Sequence, residues 1–296
     1  MALPTKAGIA PRERSGNEAA MAVIDGEVSI RHVSKVYDPE GARVVALHEC
    51  SVEITPGEFV AIVGPSGCGK STLLNILAGF DTLTAGEVYL DGKLLANVNR
   101  PPHPGPDRVV VFQHGALFPW KTVLENVTYG PVRQKAMSAE KAAEKAMDLL
   151  QRCGGLDGVA TAYPAQLSSG MQRRVEIIRA LMNEPKVLLL DEPFRAMDTV
   201  SKTTMHQHLL EMYRMCRKTI VFITHDLEEA IYLADTVIVM TTRPGTVKKV
   251  LTVSLPRPRI PQMMSSHEYL ELKRQAAELV HAEARKAFER GEREHT

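Results

Sequence analysis

Short runs of hydrophobic residues recur along the chain, and stretches of mixed polar and apolar character separate them. Residues 58–63 form one such run, which glycines and a helical stretch at 70–78 follow directly. Val28 and Ile30 alternate with polar neighbours, as in a half-buried strand. Near-continuous apolar runs are typical of strands in a sheet that is covered on both faces, so the pattern predicts an α/β fold. Further strands are predicted at 109–112, 187–190, 219–223 and 237–240.

Helical segments separate these predicted strands. Residues 138–153 are rich in Ala, Lys, Glu, Met and Leu, and a second helix is predicted over 167–183, ended by Pro185. Together the two segments predict a helical insertion between two strands of the core. After a Pro-rich stretch at 256–261, apolar residues at helical spacing predict a terminal amphipathic helix that packs against its own domain. These residues are Tyr269, Leu272, Ala276, Leu279 and Ala287.

Composition divides the 296 residues into three parts. Small and charged residues predominate in 1–24, which we predict to be a flexible N-terminal tail. The folded domain is predicted at 25–255, and residues 256–296 are predicted to form a C-terminal helical extension. The 36 basic and 35 acidic residues give a net charge of +1, so bulk charge indicates neither a nucleic-acid partner nor an anionic membrane.

Cysteine usage and hydropathy indicate the compartment. The four cysteines lie far apart and include no C-x-x-C pair, which favours a reduced, cytoplasmic protein over a disulfide scaffold or a zinc site. No secretory signal is visible near the N-terminus, and no run approaches the roughly 18 apolar residues of a membrane span. If the chain works at a membrane, another polypeptide must hold it there.

A glycine-rich loop joins the predicted strand at 58–63 to the helix at 70–78. Residues 64–71 read Gly-Pro-Ser-Gly-Cys-Gly-Lys-Ser and match G-x-x-x-x-G-K-[ST] in the required strand–loop–helix context. Its backbone N–H groups and the positive helix end suit phosphate oxygens, although a glycine-rich turn that binds nothing is the alternative. We predict that Lys70 reaches the β and γ phosphates, Ser71 ligates magnesium and Thr72 contacts the α phosphate. The predicted cradle comprises Gly64, Pro65, Ser66, Gly67, Cys68 and Gly69.

Polar residues end three other predicted strands. Asp191 and Glu192 follow the run at 187–190, where Asp191 is placed to reach the magnesium in its second coordination sphere or through its water ligands and Glu192 to polarise an attacking water. Gln113 and His225 also follow apolar runs, and the strand ends of a parallel sheet gather along the edge where ligands bind. Gln113 could therefore reach the metal or the water, and His225 a γ-phosphate oxygen. The alternatives are an ordinary acidic turn and polar residues with structural roles.

One further motif connects these elements to a known family. Residues 167–172 read Leu-Ser-Ser-Gly-Met-Gln, and with the phosphate loop and the acidic strand end they resemble the nucleotide-binding subunit of an ABC transporter over residues 28–259. The resemblance implies a P-loop NTPase fold, with a RecA-like α/β core, an N-terminal antiparallel β subdomain and an inserted helical subdomain at about 115–170. It also assigns the roles of Q-loop, D-loop, switch histidine and adenine-stacking aromatic, in that order, to Gln113, Asp198, His225 and Tyr37.

Residues 110–127 indicate which branch of this family the chain resembles. They contain Phe118-Pro119-Trp120, and with 191–194, 224–230 and 243–245 they resemble the ATPases of nitrate, sulfonate and taurine importers. The resemblance implies a peripheral subunit at the cytoplasmic face of the cell membrane. Transmembrane permease subunits would be its direct partners, and a periplasmic or surface solute-binding protein an indirect one. Trp120 is then either an exposed anchor for the permease or a core residue of the helical subdomain.

The resemblance also implies a mechanism. Two copies would form a homodimer that sandwiches two molecules of MgATP head to tail. Glu192 would act as the base and His225 would hold the γ-phosphate, and closure and reopening would drive the permease through the Gln113 loop and Trp120. Each ATP would lie between Lys70, Ser71, Thr72 and Gln113 of one copy and Ser168, Ser169 and Gly170 of the other.

Three residues are unusual for this family or this loop. The family usually has glycine where Ser169 and Arg195 stand, and Arg195 is expected to weaken closure, form an intersubunit ion pair or point outward. Cys68 lies at a helix N-terminus, which can lower a thiol pKa, so redox control and a tolerated variable position are both open. Two other functions are considered: a soluble ABC ATPase that acts on nucleic acid or ribosomes, and an ATP-binding partner with impaired turnover. The single cassette, Glu192 and His225 favour the importer.

Overall fold

The computed structural model describes residues 24–38, 41–195 and 197–289, so nearly all of the predicted tail at 1–24 lies outside the described residues. Within these ranges two β-sheets and surrounding helices build an α/β structure. The strands are β1 Val28–Tyr37, β2 Val44–Ile54, β3 Phe59–Val63, β4 Ala85–Leu90, β5 Lys93–Asn97, β6 Arg108–Val111, β7 Val187–Asp191, β8 Thr219–Ile223, β9 Thr236–Met240 and β10 Val247–Thr252. The α-helices are α1 Lys70–Ala78, α2 Val123–Arg133, α3 Ala139–Arg152, α4 Ser169–Leu181, α5 Thr199–Cys216, α6 Leu227–Leu233 and α7 His267–Glu289.

The larger sheet has six strands in the order β10-β9-β3-β8-β7-β6, and only the β10–β9 pair is antiparallel. Every residue of β3 is buried, which explains its uninterrupted apolar sequence. The runs predicted as buried strands all lie in this sheet, and the α/β class is confirmed. One boundary is wrong: Phe112 lies outside β6, is exposed and stacks on Phe80 with a centroid distance of 5.8 Å.

The smaller sheet is antiparallel, with four strands in the order β2-β1-β4-β5. Its buried residues Val33 and Leu47 belong to the same hydrophobic cluster as Leu73 and Leu77 of α1. The antiparallel β subdomain expected near the N-terminus is therefore present. Because α1 packs between the two sheets, the loop that precedes it is held on both sides.

Helices α2, α3 and α4 lie between β6 and β7 along the chain, as the predicted helical insertion requires. The buried face of α3 carries Ala142, Ala146 and Leu150 at helical spacing. The helix predicted over 167–183 begins only at Ser169, because the Ser168 hydroxyl caps it by accepting a hydrogen bond from Met171 N at 3.3 Å.

The C-terminal helix α7 packs against its own domain, as its apolar spacing predicts. Tyr269 and Ala276 are fully buried, and Leu272 and Leu279 pack against the same core. Of the helices in the described residues, none combines the length and the apolar character needed to cross a membrane.

Candidate nucleotide-binding site

The loop 64–69 leaves β3 at the carboxyl edge of the larger sheet and leads into α1. Gly69 caps α1 in a left-handed conformation with φ of 96°. A Cβ at this position would lie 2.7 Å from Leu47 Cδ2 and 2.8 Å from Ala46 O, so only glycine fits. Among the described residues no side chain caps α1, which leaves its first N–H groups available to an anion.

Lys70 is a buried cation at the start of α1, with 7% of the residue exposed. Its Nζ donates hydrogen bonds to Gly64 O and Pro65 O, each at 2.9 Å. These two carbonyls hold the ammonium group over the loop. The positive charge therefore lies where the loop would place phosphate oxygens.

The thiol of Cys68 lies beneath the loop among core residues and is fully buried. Burial raises the pKa of this thiol, and this effect exceeds the opposing influence of the Lys70 charge. The raised pKa speaks against redox control at Cys68 and favours the alternative of a tolerated variable position. Lys70 Nζ also donates to Cys68 Sγ at 3.7 Å, so the thiol borders the buried ammonium group.

Asp191, the last residue of β7, approaches the first turn of α1. Ser71 Oγ donates to Asp191 Oδ1 at 3.4 Å. Burial raises the pKa of Asp191, and the neighbouring charge of Glu192 adds to this effect. A hydroxyl and a carboxylate that converge in this way are the hard oxygen ligands that Mg²⁺ prefers, so these residues fit the expected metal.

Glu192 follows β7 in a left-handed backbone conformation with φ of 42°, which is uncommon for a residue with a side chain. Its N–H donates to Ile223 O of β8 at 3.0 Å, which holds the turn in place. Oε2 of Glu192 then lies 3.5 Å from Nδ1 of His225. The ends of two neighbouring parallel strands thus bring the carboxylate and the imidazole together.

Arg195 takes an arrangement that the sequence did not indicate. Its Nη1 lies 3.2 Å from Oε2 of Glu192 in the same chain, and half of its side chain is exposed. Of the three alternatives for Arg195, the outward orientation does not fit, because the guanidinium turns back to form an ion pair with Glu192.

A cavity of about 620 Å³ unites most of the predicted site residues, a size in the usual range for small-molecule sites. Six residues outside the predicted site also line it: Val44, Ala46, Arg195, Arg243, Val280 and Ala284. For α7, the apolar spacing had indicated only the stripe that faces the core. The predicted residues lining the cavity are Tyr37, Gly64, Pro65, Ser66, Gly67, Cys68, Gly69, Lys70, Ser71, Thr72, Gln113, Glu192 and His225.

Five predicted site residues do not line this cavity. Asp191 contacts the phosphate-loop helix through Ser71. Ser168 caps α4, and Asp198 caps α5 by accepting from the backbone N–H groups of residues 200 and 201. Ser169 lines a neighbouring cavity, and a Cβ on Gly170 would meet nothing within 4 Å. Within one copy of the chain, the Leu-Ser-Ser-Gly-Met-Gln motif at 167–172 and the phosphate loop are therefore separate.

Hydrogen bonds made by a buried ion pair within α4 join this helix to the Gln113 loop. Arg173 Nη1 lies 2.7 Å from Glu176 Oε2, and both residues are buried. Arg173 also donates to Phe112 O and Gln113 O, each at 2.7 Å, while Glu176 accepts from Ala116 N at 2.6 Å. A movement of α4 would therefore be transmitted to Gln113.

Trp120 is 71% exposed, so the alternative of a core tryptophan is wrong. Its ring centroid lies 5.7 Å from that of Phe118, which in turn contacts Tyr129 at 4.9 Å. A surface cavity of about 340 Å³ adjoins these rings and is lined by Phe112, Phe118 and Tyr129. Exposed aromatic side chains around a concavity are typical of protein-binding surfaces.

Comparison with known proteins agrees with this geometry. The family described as ABC transporter matches residues 47–195. A nitrate import ATP-binding protein of Synechocystis is 43% identical over 231 residues, which cover 77% of this chain and 83% of the relative. A bicarbonate transport ATP-binding protein of the same organism is 40% identical and covers 86% of this chain and 89% of its own length. An aliphatic sulfonates import ATP-binding protein of Bacillus cereus is 38% identical, covering 78% and 88%.

Solved structures show the same relationship. The ATP-binding cassette MJ0796, solved as a dimer in a post-hydrolysis state with ADP and Pi, is 34% identical with a TM-score of 0.65. The match covers 77% of this chain and 100% of the cassette, and it confirms the P-loop NTPase fold. The matched family, the relatives and the assembled site together show that this chain belongs to the ABC transporter family and is one of its ATPases.

Proposed function

We propose that this chain energises an importer that takes up a small solute, a nitrate-, sulfonate- or taurine-like anion, through a separate transmembrane permease. The observation that carries the proposal is the single cavity in which the phosphate loop, Glu192 and His225 meet. The relatives named for nitrate, bicarbonate and sulfonates support import of a small anion without favouring one of them.

The cavity supplies the groups that ATP hydrolysis needs. As the oxygen of a water molecule bonds to the γ-phosphorus, Glu192 accepts a proton from that water. The bond between the γ-phosphorus and the bridging oxygen breaks, and ADP and phosphate result. Lys70 stabilises the negative charge on the β and γ phosphates, and His225 donates a hydrogen bond to a γ-phosphate oxygen.

The residues of this chain that would hold Mg²⁺ are Ser71, Asp191 and Gln113. The hydrogen bond between Ser71 and Asp191 supports this set, because it brings two oxygen ligands to the phosphate loop. When bound, Mg²⁺ would offset the negative charge of the phosphates. Tyr37 would contact the adenine base of ATP. Its ring is held by a hydrogen bond from its hydroxyl to Asp81.

A head-to-tail homodimer would complete the site. Ser168, Ser169 and Gly170 lie away from the phosphate loop of their own chain, so they would serve the ATP bound to the other copy. The open space around Gly170 and the N-terminal position of Ser168 on α4 support this role, because a helix N-terminus attracts phosphate. Asp198 would lie at the same dimer face.

The permease would dock at the exposed aromatic surface around Trp120. Its connection to the nucleotide would pass through Arg173 and Glu176 to the Gln113 loop. Docking would place the chain at the cytoplasmic face of the membrane as a peripheral subunit, with a solute-binding protein on the opposite side.

Light scattering of the Glu192→Gln variant tests the proposed homodimer. With MgATP we expect the mass to double, because binding proceeds and hydrolysis does not. Adding Lys70→Ala to this variant is the matched control, and it should remain monomeric. A monomer that binds MgATP even with the permease present would contradict the sandwich, and turnover stimulated by RNA but not by a permease would contradict transport.

A further inference from the structure

Two side chains of α7 line the same cavity as the phosphate loop, although they follow it by more than 200 residues in the chain. Val280 and Ala284 are one helical turn apart, so they share one face of the helix. Both are half-buried. The residues matched by the ABC transporter family end at position 195, so α7 lies outside that match.

A buried carboxylate fixes this part of α7 to the larger sheet. Glu283 is 1% exposed, and its Oε1 lies 2.8 Å from Lys248 Nζ of β10 and 2.8 Å from Lys286 Nζ. Its Oε2 accepts a hydrogen bond from Thr242 N at 3.1 Å, and Lys248 also donates to Leu279 O at 3.0 Å. Because a buried charge is costly unless it is paired, this network sets both the position and the rotation of the helix.

The segment that Glu283 contacts is itself part of the nucleotide site. Arg243, the residue after Thr242, donates from Nε to Gly67 O of the phosphate loop at 3.2 Å. Gly245 donates its N–H to Ala46 O of β2 at 3.0 Å. The segment 242–245 therefore connects α7, the phosphate loop and β2, so the three parts of the cavity have a fixed relative geometry.

The cavity has a polar part and an apolar part. Lys70, Glu192 and His225 supply charge or hydrogen bonds near the strand ends of the larger sheet. Tyr37 and Val44 are cross-strand partners of the smaller sheet, and Ala46 lies two residues further on the same strand face. A nucleoside triphosphate has the same division, because a polyanion is joined to a flat and largely apolar base. Tyr37, Val44, Ala46, Val280 and Ala284 together form the apolar lining.

We propose that α7 is part of the nucleotide site, with Val280 and Ala284 contacting the nucleoside and Glu283 acting as the residue that positions them. This inference rests on nucleotide binding at the proposed site. It adds a second wall, from the C-terminal helix, to the aromatic wall at Tyr37.

Paired titrations with MgADP and magnesium pyrophosphate separate nucleoside contacts from phosphate contacts. Val280→Ser removes apolar surface from the proposed wall, and we expect it to weaken MgADP binding by roughly fivefold to tenfold. Pyrophosphate lacks the nucleoside, so its affinity should be unchanged. His281→Ser is the matched control, because residue 281 lies on the exposed face of the same helix. Both affinities should equal those of the unmodified chain in this control.

Glu283→Gln tests the positioning role. We expect weaker MgADP binding with unchanged pyrophosphate binding, together with faster amide hydrogen exchange in α7. Unchanged MgADP affinity in both Val280→Ser and Glu283→Gln would overturn the inference, as would equal losses for MgADP and pyrophosphate. If the unmodified chain bound neither ligand, the proposed function would fail as well, so the two failures are distinguishable.

Discussion

Arg195 and Glu192 form an ion pair inside the nucleotide site, with Nη1 of the arginine 3.2 Å from Oε2 of the carboxylate. The same oxygen lies 3.5 Å from Nδ1 of His225. The oxygen is therefore occupied before water or phosphate arrives. Because half of the Arg195 side chain is exposed, the pair is worth no more than about 1 kcal/mol, and incoming groups can displace it.

Replacing Arg195 with alanine should raise the basal turnover of the isolated subunit by up to about fivefold, the factor that corresponds to about 1 kcal/mol. The physical reason is that Glu192 no longer has to leave a partner before it accepts a proton. Phosphate release at saturating MgATP measures the effect. Arg195→Lys keeps the charge and should stay near the unmodified rate. Lower turnover in the alanine variant would mean that Arg195 assists catalysis instead.

Gly69→Ala should both destabilise the fold and abolish tight MgATP binding. The added Cβ would meet Leu47 Cδ2 at 2.7 Å and Ala46 O at 2.8 Å, in addition to the cost of a left-handed backbone. Gly155→Ala is a matched control, since Gly155 also has a positive φ, 57°, but has open space around it. We expect the control to lose about 1 kcal/mol in the free energy of unfolding, and Gly69→Ala to lose clearly more. Equal losses would show that the close contacts relax without cost.

Glu176→Gln should lower the free energy of unfolding by roughly 3 kcal/mol, because it leaves the buried guanidinium of Arg173 without its counter-ion. Turnover should also fall, since Arg173 holds the Gln113 backbone. Asp148→Asn on α3 provides the control, as its pair with Arg152 is more than half exposed on both sides. Urea unfolding should show a loss below about 1 kcal/mol for this variant. A similar loss in both variants would argue that the α4 pair is not structural.

Trp120→Ala should leave the isolated subunit unchanged in stability and basal turnover, because the side chain is 71% exposed and lies outside the nucleotide cavity. Its effect should appear only with the permease. Removing an aromatic anchor from an interface commonly costs 2 kcal/mol or more, roughly a thirtyfold loss of affinity. Co-purification and permease-stimulated ATPase activity measure this. Normal stimulation in the variant would place the docking surface elsewhere.

The sequence predicted the sheet and the phosphate loop because both follow from local patterns. Continuous apolar runs predicted the buried strands, and the motif at 64–71 predicted a phosphate-binding loop. The pairs between Arg195 and Glu192 and between Glu283 and Lys248 could not be predicted in this way. They depend on side-chain rotamers and on elements that meet only in the folded chain. Redox control of Cys68 stayed open at the level of sequence for a related reason, since the helix N-terminus is visible there but the burial that raises the pKa of the thiol is not.

Glu283 should also make the free energy of unfolding depend measurably on pH. Burial alone would raise the pKa of this carboxyl, but hydrogen bonds from Lys248, Lys286 and Thr242 N outweigh it and lower the pKa to about 2. A carboxyl whose pKa is lower in the folded state than its unfolded value of about 4.3 stabilises the fold above the unfolded pKa. This stabilisation is lost as the pH falls through the folded pKa.

The difference in the free energy of unfolding between the unmodified chain and Glu283→Gln should therefore be constant above pH 5, at roughly 2 kcal/mol. It should shrink between about pH 5 and pH 2, because the unfolded chain then takes up a proton at Glu283 that the folded chain binds only near its lower pKa. Urea titrations across this range measure the difference, and Glu278→Gln is the control because Glu278 lies on the exposed face of α7. A difference that stays constant down to pH 2 would show that the charge of Glu283 does not hold the helix. The hydrogen bonds that a neutral side chain can also make would then hold it.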